Sequence, residues 1–77
     1  MKKIQVFGPG CAKCEELARL AAAAVAELGL ACEVEKVSDI RAIMEAGVMI
    51  TPALAVDGRV LVAGKVPSLA KLKEILA

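Results

Sequence analysis

Seven residues constrain this chain more than any others: Gly8-Pro9-Gly10-Cys11-Ala12-Lys13-Cys14. They follow a short apolar run, Ile4 to Phe7, and open a long helical pattern. Two cysteines separated by two residues at a strand-to-helix junction suit thiol–disulfide exchange. In a helix start, positions i and i+3 share a face, so the two sulfurs can close a small ring. The glycines and proline predict a turn that lifts the Cys11 sulfur out of the core. Unpaired backbone N–H groups and the positive end of the helix dipole then favour its thiolate. A helix terminus contributes only roughly 0.3–1 kcal/mol to that ionisation. The expectation is therefore a moderately activated nucleophile at Cys11, not an extreme oxidant. Cys14, one turn deeper and less exposed, suits the resolving role. Lys13 adds a positive charge, but residues i and i+2 do not face each other on a helix, which makes it a weak, screened tuner of Cys11. The competing view, an inert buried pair, fits poorly with an exposed helix start.

Composition narrows the rest. Seventy-seven residues form a single domain, 1–77, with no room for a second. Hydrophobic residues make up 58% of the chain, nearly all of them aliphatic, and Phe7 is the only aromatic. The core is thus expected to be aliphatic and thin. A net charge of +1 with interspersed signs argues against a nucleic-acid or anionic-membrane surface. The lack of stacking aromatics says the same for single-stranded nucleic acid. Met1-Lys2-Lys3 resembles the start of a signal peptide, but the following apolar run is short, interrupted by Gln5 and ended by Gly-Pro-Gly. The uncharged alanine-rich stretch, Leu20 to Ala26, is far too short to span a bilayer. These features predict a cytoplasmic protein; a monomer is the expected state, though no feature of the sequence fixes it. Three cysteines fit a cytosolic redox pair plus one spare better than a secreted disulfide framework.

In chain order, Ile4 to Phe7 reads as a buried central strand. A helix follows from about Ala12 to Leu28, with Leu17, Leu20, Ala21, Ala24, Val25 and Leu28 on one face. Glu15 and Arg19 sit four apart on its outer side in the favourable order, and Gly29 ends it. Ala31 to Val37 reads as a second strand, with Cys32, Val34 and Lys36 pointing one way. Cys32 is therefore a small buried hydrophobe in this reading. The strand–helix–strand spacing predicts a right-handed parallel crossover. Ser38 is expected to cap a short helix whose inner face is Ile40, Ile43 and Met44, with Gly47 after its end. Met44 and Met49 read as core filler. A third strand spans Ala53 to Val56, and Asp57-Gly58 predicts a type I′ hairpin turn into a fourth, Arg59 to Ala63. Pro67-Ser68 starts a last helix with Leu69, Leu72, Ile75 and Leu76 on its apolar face.

This β-α-β-α-β-β-α order, with Cys-x-x-Cys between the first strand and first helix, resembles the thioredoxin-like fold in its minimal, glutaredoxin-sized form. The expected fold class is α/β, a four-stranded mixed sheet flanked by three helices. The segment from Gly8 to Cys14, together with Ile50-Thr51-Pro52-Ala53-Leu54 and Val62-Ala63-Gly64-Lys65-Val66-Pro67-Ser68, is similar to the small redox-active disulfide proteins of archaea and bacteria. The resemblance covers essentially the whole chain. It implies a dithiol–disulfide oxidoreductase in which Cys11 attacks, Cys14 resolves, and the two form the redox-active disulfide. It implies a cis bond before Pro52, with the Thr51 backbone offered to an extended partner segment. It implies a protein disulfide or dithiol substrate, an upstream reductase and no bound cofactor. Thioredoxins proper often carry a buried acid six residues before the first cysteine; here that position is Gln5, which cannot titrate. The Cys-Pro-Tyr-Cys sequence of glutaredoxins is absent.

A second class of function uses the same thiols. Two thiolates three residues apart can hold Cu(I) or a similar soft ion. Small copper chaperones place Cys-x-x-Cys after a first strand, but they carry methionine where this chain has Pro9, and their hairpin comes earlier than Asp57-Gly58. A closed zinc site wants four ligands, and the chain has three cysteines and no histidine.

Overall fold

The computed structural model describes residues 3–10 and 12–77. The elements are β1 (Ile4–Phe7), α1 (Ala12–Leu28), β2 (Val34–Val37), α2 (Ile40–Glu45), β3 (Ala53–Val56), β4 (Arg59–Ala63) and α3 (Leu69–Leu76). The strands form one mixed sheet in the order β2-β1-β3-β4. β1 runs parallel to β2 and antiparallel to β3, and β3 runs antiparallel to β4. β1 is central, and three of its four residues are buried.

Alternation along the strands sorts side chains onto two faces. Ile4, Val6, Leu54 and Val62 meet Leu17, Ala18, Ala21 and Ala24 of α1 and Leu72 and Leu76 of α3. Phe7, Ala53 and Ala55 meet Ile43 of α2 and Val48 on the other side. Small residues along α1 let the helix lie close to the sheet, and alanine also favours the helix itself. Gly29, in the left-handed region, ends α1. The Leu30 amide donates to Val25 and the Gly29 amide to Ala26, a Schellman ending. The hairpin turn has positive φ at both Asp57 (52°) and Gly58 (84°), as a type I′ turn demands. The Asp57 amide and carboxylate also bond the Lys3 carbonyl and amide, each at 2.8 Å, tying the turn to the start of β1. Between Leu54 and Ala55 the β3–β4 register shifts, and Leu61 is the extra residue.

Several local expectations are corrected. The second strand is shorter than Ala31 to Val37, because the four residues of β1 pair only with Val34 to Val37. Cys32 thus lies before the strand, half-buried against the α1 and α3 side of the core. The cap of α2 is Asp39, not Ser38: its backbone is extended and its carboxylate accepts from the Arg41 amide at 3.0 Å. Only Ile43 of α2 is buried. Ile40 (64% exposed), Met44 (70%) and Met49 (93%) are surface residues, not core. A six-residue helix presents one anchoring position to the sheet, and its neighbours turn away from it. Arg19 pairs with Glu16 at 3.1 Å, while Glu15 reaches Lys36 on β2 at 2.9 Å.

Ser68 is the cap of α3, its hydroxyl accepting from the Lys71 amide at 3.2 Å. Ser68→Ala is expected to cost about 0.5–2 kcal/mol of stability, read as a lower urea midpoint at unchanged slope. α3 closes the core with Leu72 and Leu76, so the loss should propagate to the global transition and not stay local.

Candidate functional site

The site is assembled at one end of the sheet, where β1 gives way to the Gly8-Pro9-Gly10 turn. Cys11 lies outside the described residues, so the expectations about its sulfur and its helix-end electrostatics rest on sequence. Its neighbours are defined. Gly10 has φ of 96°, a backbone that glycine adopts without strain. Ala12 is the first residue of α1, so the helix does begin inside the cysteine motif. Cys14 is 5% exposed, on the same face as Leu17, Ala18 and Ala21. That is the deeper seat expected of the second cysteine.

Gly8 lies directly against Cys14. A Cβ placed on Gly8 would overlap the Cys14 sulfur and come within 2.7 Å of the Cys14 Cβ. The Gly8 amide donates to the Val37 carbonyl at 2.9 Å, continuing the β1–β2 ladder by one bond. A cavity of about 260 Å³ opens beside this contact, lined among others by Gly8, Gly10, Cys14, Glu15, Lys36 and Ser38. The Glu15–Lys36 ion pair stands at its wall and bridges α1 to β2. Both side chains are more than half exposed, so the pair contributes little to stability.

Thr51 and Pro52 reach the same end of the sheet through the β1–β3 register. Phe7 is opposite Ala53, so the residues just beyond, Gly8 and Pro52, leave the sheet side by side. The Thr51–Pro52 bond is cis. Thr51 is half-buried and Pro52 buried. The Pro52 carbonyl accepts from the Gly64 amide at 2.8 Å, which anchors this loop to the end of β4. Ile50 packs over Gly64, where a Cβ would come within 2.8 Å of its Cγ2. Lys13 is exposed on α1. Gln5 donates to Glu35 across the β1–β2 pair at 2.8 Å, on the α2 side of the sheet by alternation.

The structure brings Cys14, Thr51 and Pro52 to one end of the sheet, together with two neighbours that sequence reasoning did not single out. Gly8 reads as an ordinary turn residue, and nothing local marks it as a close-approach position. Lys36 reads as one charge of an alternating strand, and its meeting with Glu15 depends on the parallel crossover. Among the described residues, no group of three or more Cys, Asp or Glu side chains is arranged to hold a metal ion.

A mixed four-stranded sheet, Cys14 in the first turn of the first helix and a cis-proline at the same sheet end are the setting of one protein family. The family described as "Thioredoxin domain" matches residues 2–77, and the chain belongs to it. This is a family of thiol–disulfide oxidoreductases. The chain is 46% identical over 77 residues to a thioredoxin of Methanothermobacter thermautotrophicus, covering 100% of both chains. It is 41% identical over 76 residues to a thioredoxin of Methanocaldococcus jannaschii, covering 99% of this chain and 87% of that one.

Proposed function

We propose that this chain is a single-domain, monomeric, cytoplasmic carrier that exchanges a Cys11–Cys14 disulfide with protein partners. The observation that supports it most is the seating of Cys14. Its sulfur is nearly shielded, at the sheet end that also presents Thr51 and Pro52. A shielded second thiol next to an attacking one acts on the first cysteine rather than on solvent. In this reading the Cys11 thiolate attacks a partner disulfide, forming a mixed disulfide and releasing one partner thiolate. Cys14 then attacks the Cys11 sulfur, the Cys11–Cys14 bond forms, and the second partner thiolate leaves. The partner gains two electrons, and an upstream reductase returns two to the chain. Thr51 offers backbone groups to the partner segment, and Lys13 contributes a weak, screened field. No cofactor enters the cycle.

The test is Cys14→Ser. Incubated with a cell extract, this variant is expected to accumulate covalent mixed disulfides through Cys11 that dithiothreitol releases, and wild type is expected to retain far fewer. Absence of reducible adducts in the variant would remove the exchange mechanism. Stoichiometric, tight Cu(I) binding without disulfide turnover would replace it with a soft-metal chaperone.

A further inference from the structure

We infer that Gly8 is a positioning residue for the resolving step: its bare Cα is the seat that sets where the Cys14 sulfur lies. The inference rests on the exchange reading above and assigns to it a residue outside the two cysteines and the proline loop.

The need for glycine at this position is not conformational. Five other glycines have φ between 66° and 96°, and Gly8 is not among the positive-φ residues. What Gly8 lacks is room. It is buried, and a Cβ there would overlap the sulfur of Cys14 and crowd its Cβ at 2.7 Å, while the Cys14 Cα stands at 3.8 Å. Neither backbone can retreat freely. Gly8 is bonded to Val37 on the β2 side, and the residue before it pairs with Ala53 on the other. The Cys14 end of α1 is held by Leu17, Ala18 and Ala21 in the core. Rotating the Cys14 side chain moves its sulfur but not its Cβ, so an added methyl group is relieved by a rotamer change together with a small shift of the Cys14 backbone, and both displace the reacting sulfur.

Disulfide exchange needs an in-line approach. The attacking Cys14 sulfur, the Cys11 sulfur and the departing partner sulfur must align as one S–S bond forms and the other breaks. The electron pair leaves on the partner sulfur, and the proton given up by Cys14 goes to solvent through the adjoining cavity. A displacement of even about 1 Å can cost on the order of 100-fold in such a step. The first step, attack by Cys11, does not use the Cys14 sulfur. Gly8 should thus affect the two steps unequally.

A small aromatic disulfide, 5,5′-dithiobis(2-nitrobenzoate), separates them. With reduced protein carrying Cys32→Ser, one thionitrobenzoate is released on forming the mixed disulfide and a second on its resolution by Cys14. Gly8→Ala is expected to leave the first phase within about threefold of the unsubstituted control and to slow the second by at least ~10-fold. Equal slowing of both phases, or an unchanged second phase, would overturn the inference. A double-mutant cycle keeps it testable if Gly8→Ala is poorly folded. The loss of thermal stability from Gly8→Ala should be smaller when residue 14 is alanine, because the overlapping sulfur is gone. Equal losses in both backgrounds, or failure of both to fold, would show that Gly8 serves the backbone alone. A control protein that releases no second equivalent would instead refute the exchange reading itself.

Discussion

Replacing Cys11 with serine is expected to abolish turnover of a protein disulfide. With insulin as substrate and dithiothreitol as electron source, the Cys11→Ser rate should fall more than ~100-fold, or to the rate of dithiothreitol alone. That corresponds to a barrier higher by at least ~2.7 kcal/mol. A serine hydroxyl is not ionised at neutral pH and forms no stable bond to sulfur, so the covalent intermediate is lost. Cys14 cannot substitute, because at 5% exposure its sulfur does not reach a bulky partner. Cys32, half-buried before β2, belongs to the core margin and not to this end of the sheet, so Cys32→Ser should keep turnover and change stability instead. Equal activity in wild type and Cys11→Ser would end the proposal.

The second large effect is on stability. Leu54 is fully buried at the centre of the larger core, on β3 between Val6 of β1 and Val62 of β4. Leu54→Ala should cost about 2–5 kcal/mol, the range for large-to-small changes in a packed interior. A chain of this size holds only about 4–12 kcal/mol in total, by the usual ~0.05–0.15 kcal/mol per residue. The melting temperature should fall by at least ~10 °C. Met49→Ser is the matched control: at 93% exposure it should shift stability by no more than about 0.5 kcal/mol. A similar small shift for both would mean that the aliphatic core does not carry the fold.

The exposed positions also show where the second face of the sheet is thin. Phe7, Ala53 and Ala55 are covered by Ile43 and Val48, with α2 supplying a single buried side chain. Ile40, Met44, Met49 and Ile50 stay at the surface around that cover. The apolar character of Ile40, Met44 and Met49 reads as core in sequence because hydropathy alone does not say whether a partner surface exists.

The sequence by itself determined the features that near neighbours in the chain dictate. The span of α1 follows from its periodicity and from Gly29, and the hairpin follows from Asp57-Gly58, whose residues accept positive φ. The start of α1 at Ala12, inside the cysteine motif, is equally local. Tertiary structure alone decided what depends on distant residues. The length of β2 is set by the four residues of β1 that it pairs with, and this displaced Cys32 from the strand. The buried side of α2 is set by the sheet beneath it. The closeness of Gly8 to the Cys14 sulfur arises because β2 and β3 hold β1 while the core holds α1. Dihedral preference and periodicity are carried by adjacent residues, whereas available space is defined only once the remote segments have come together.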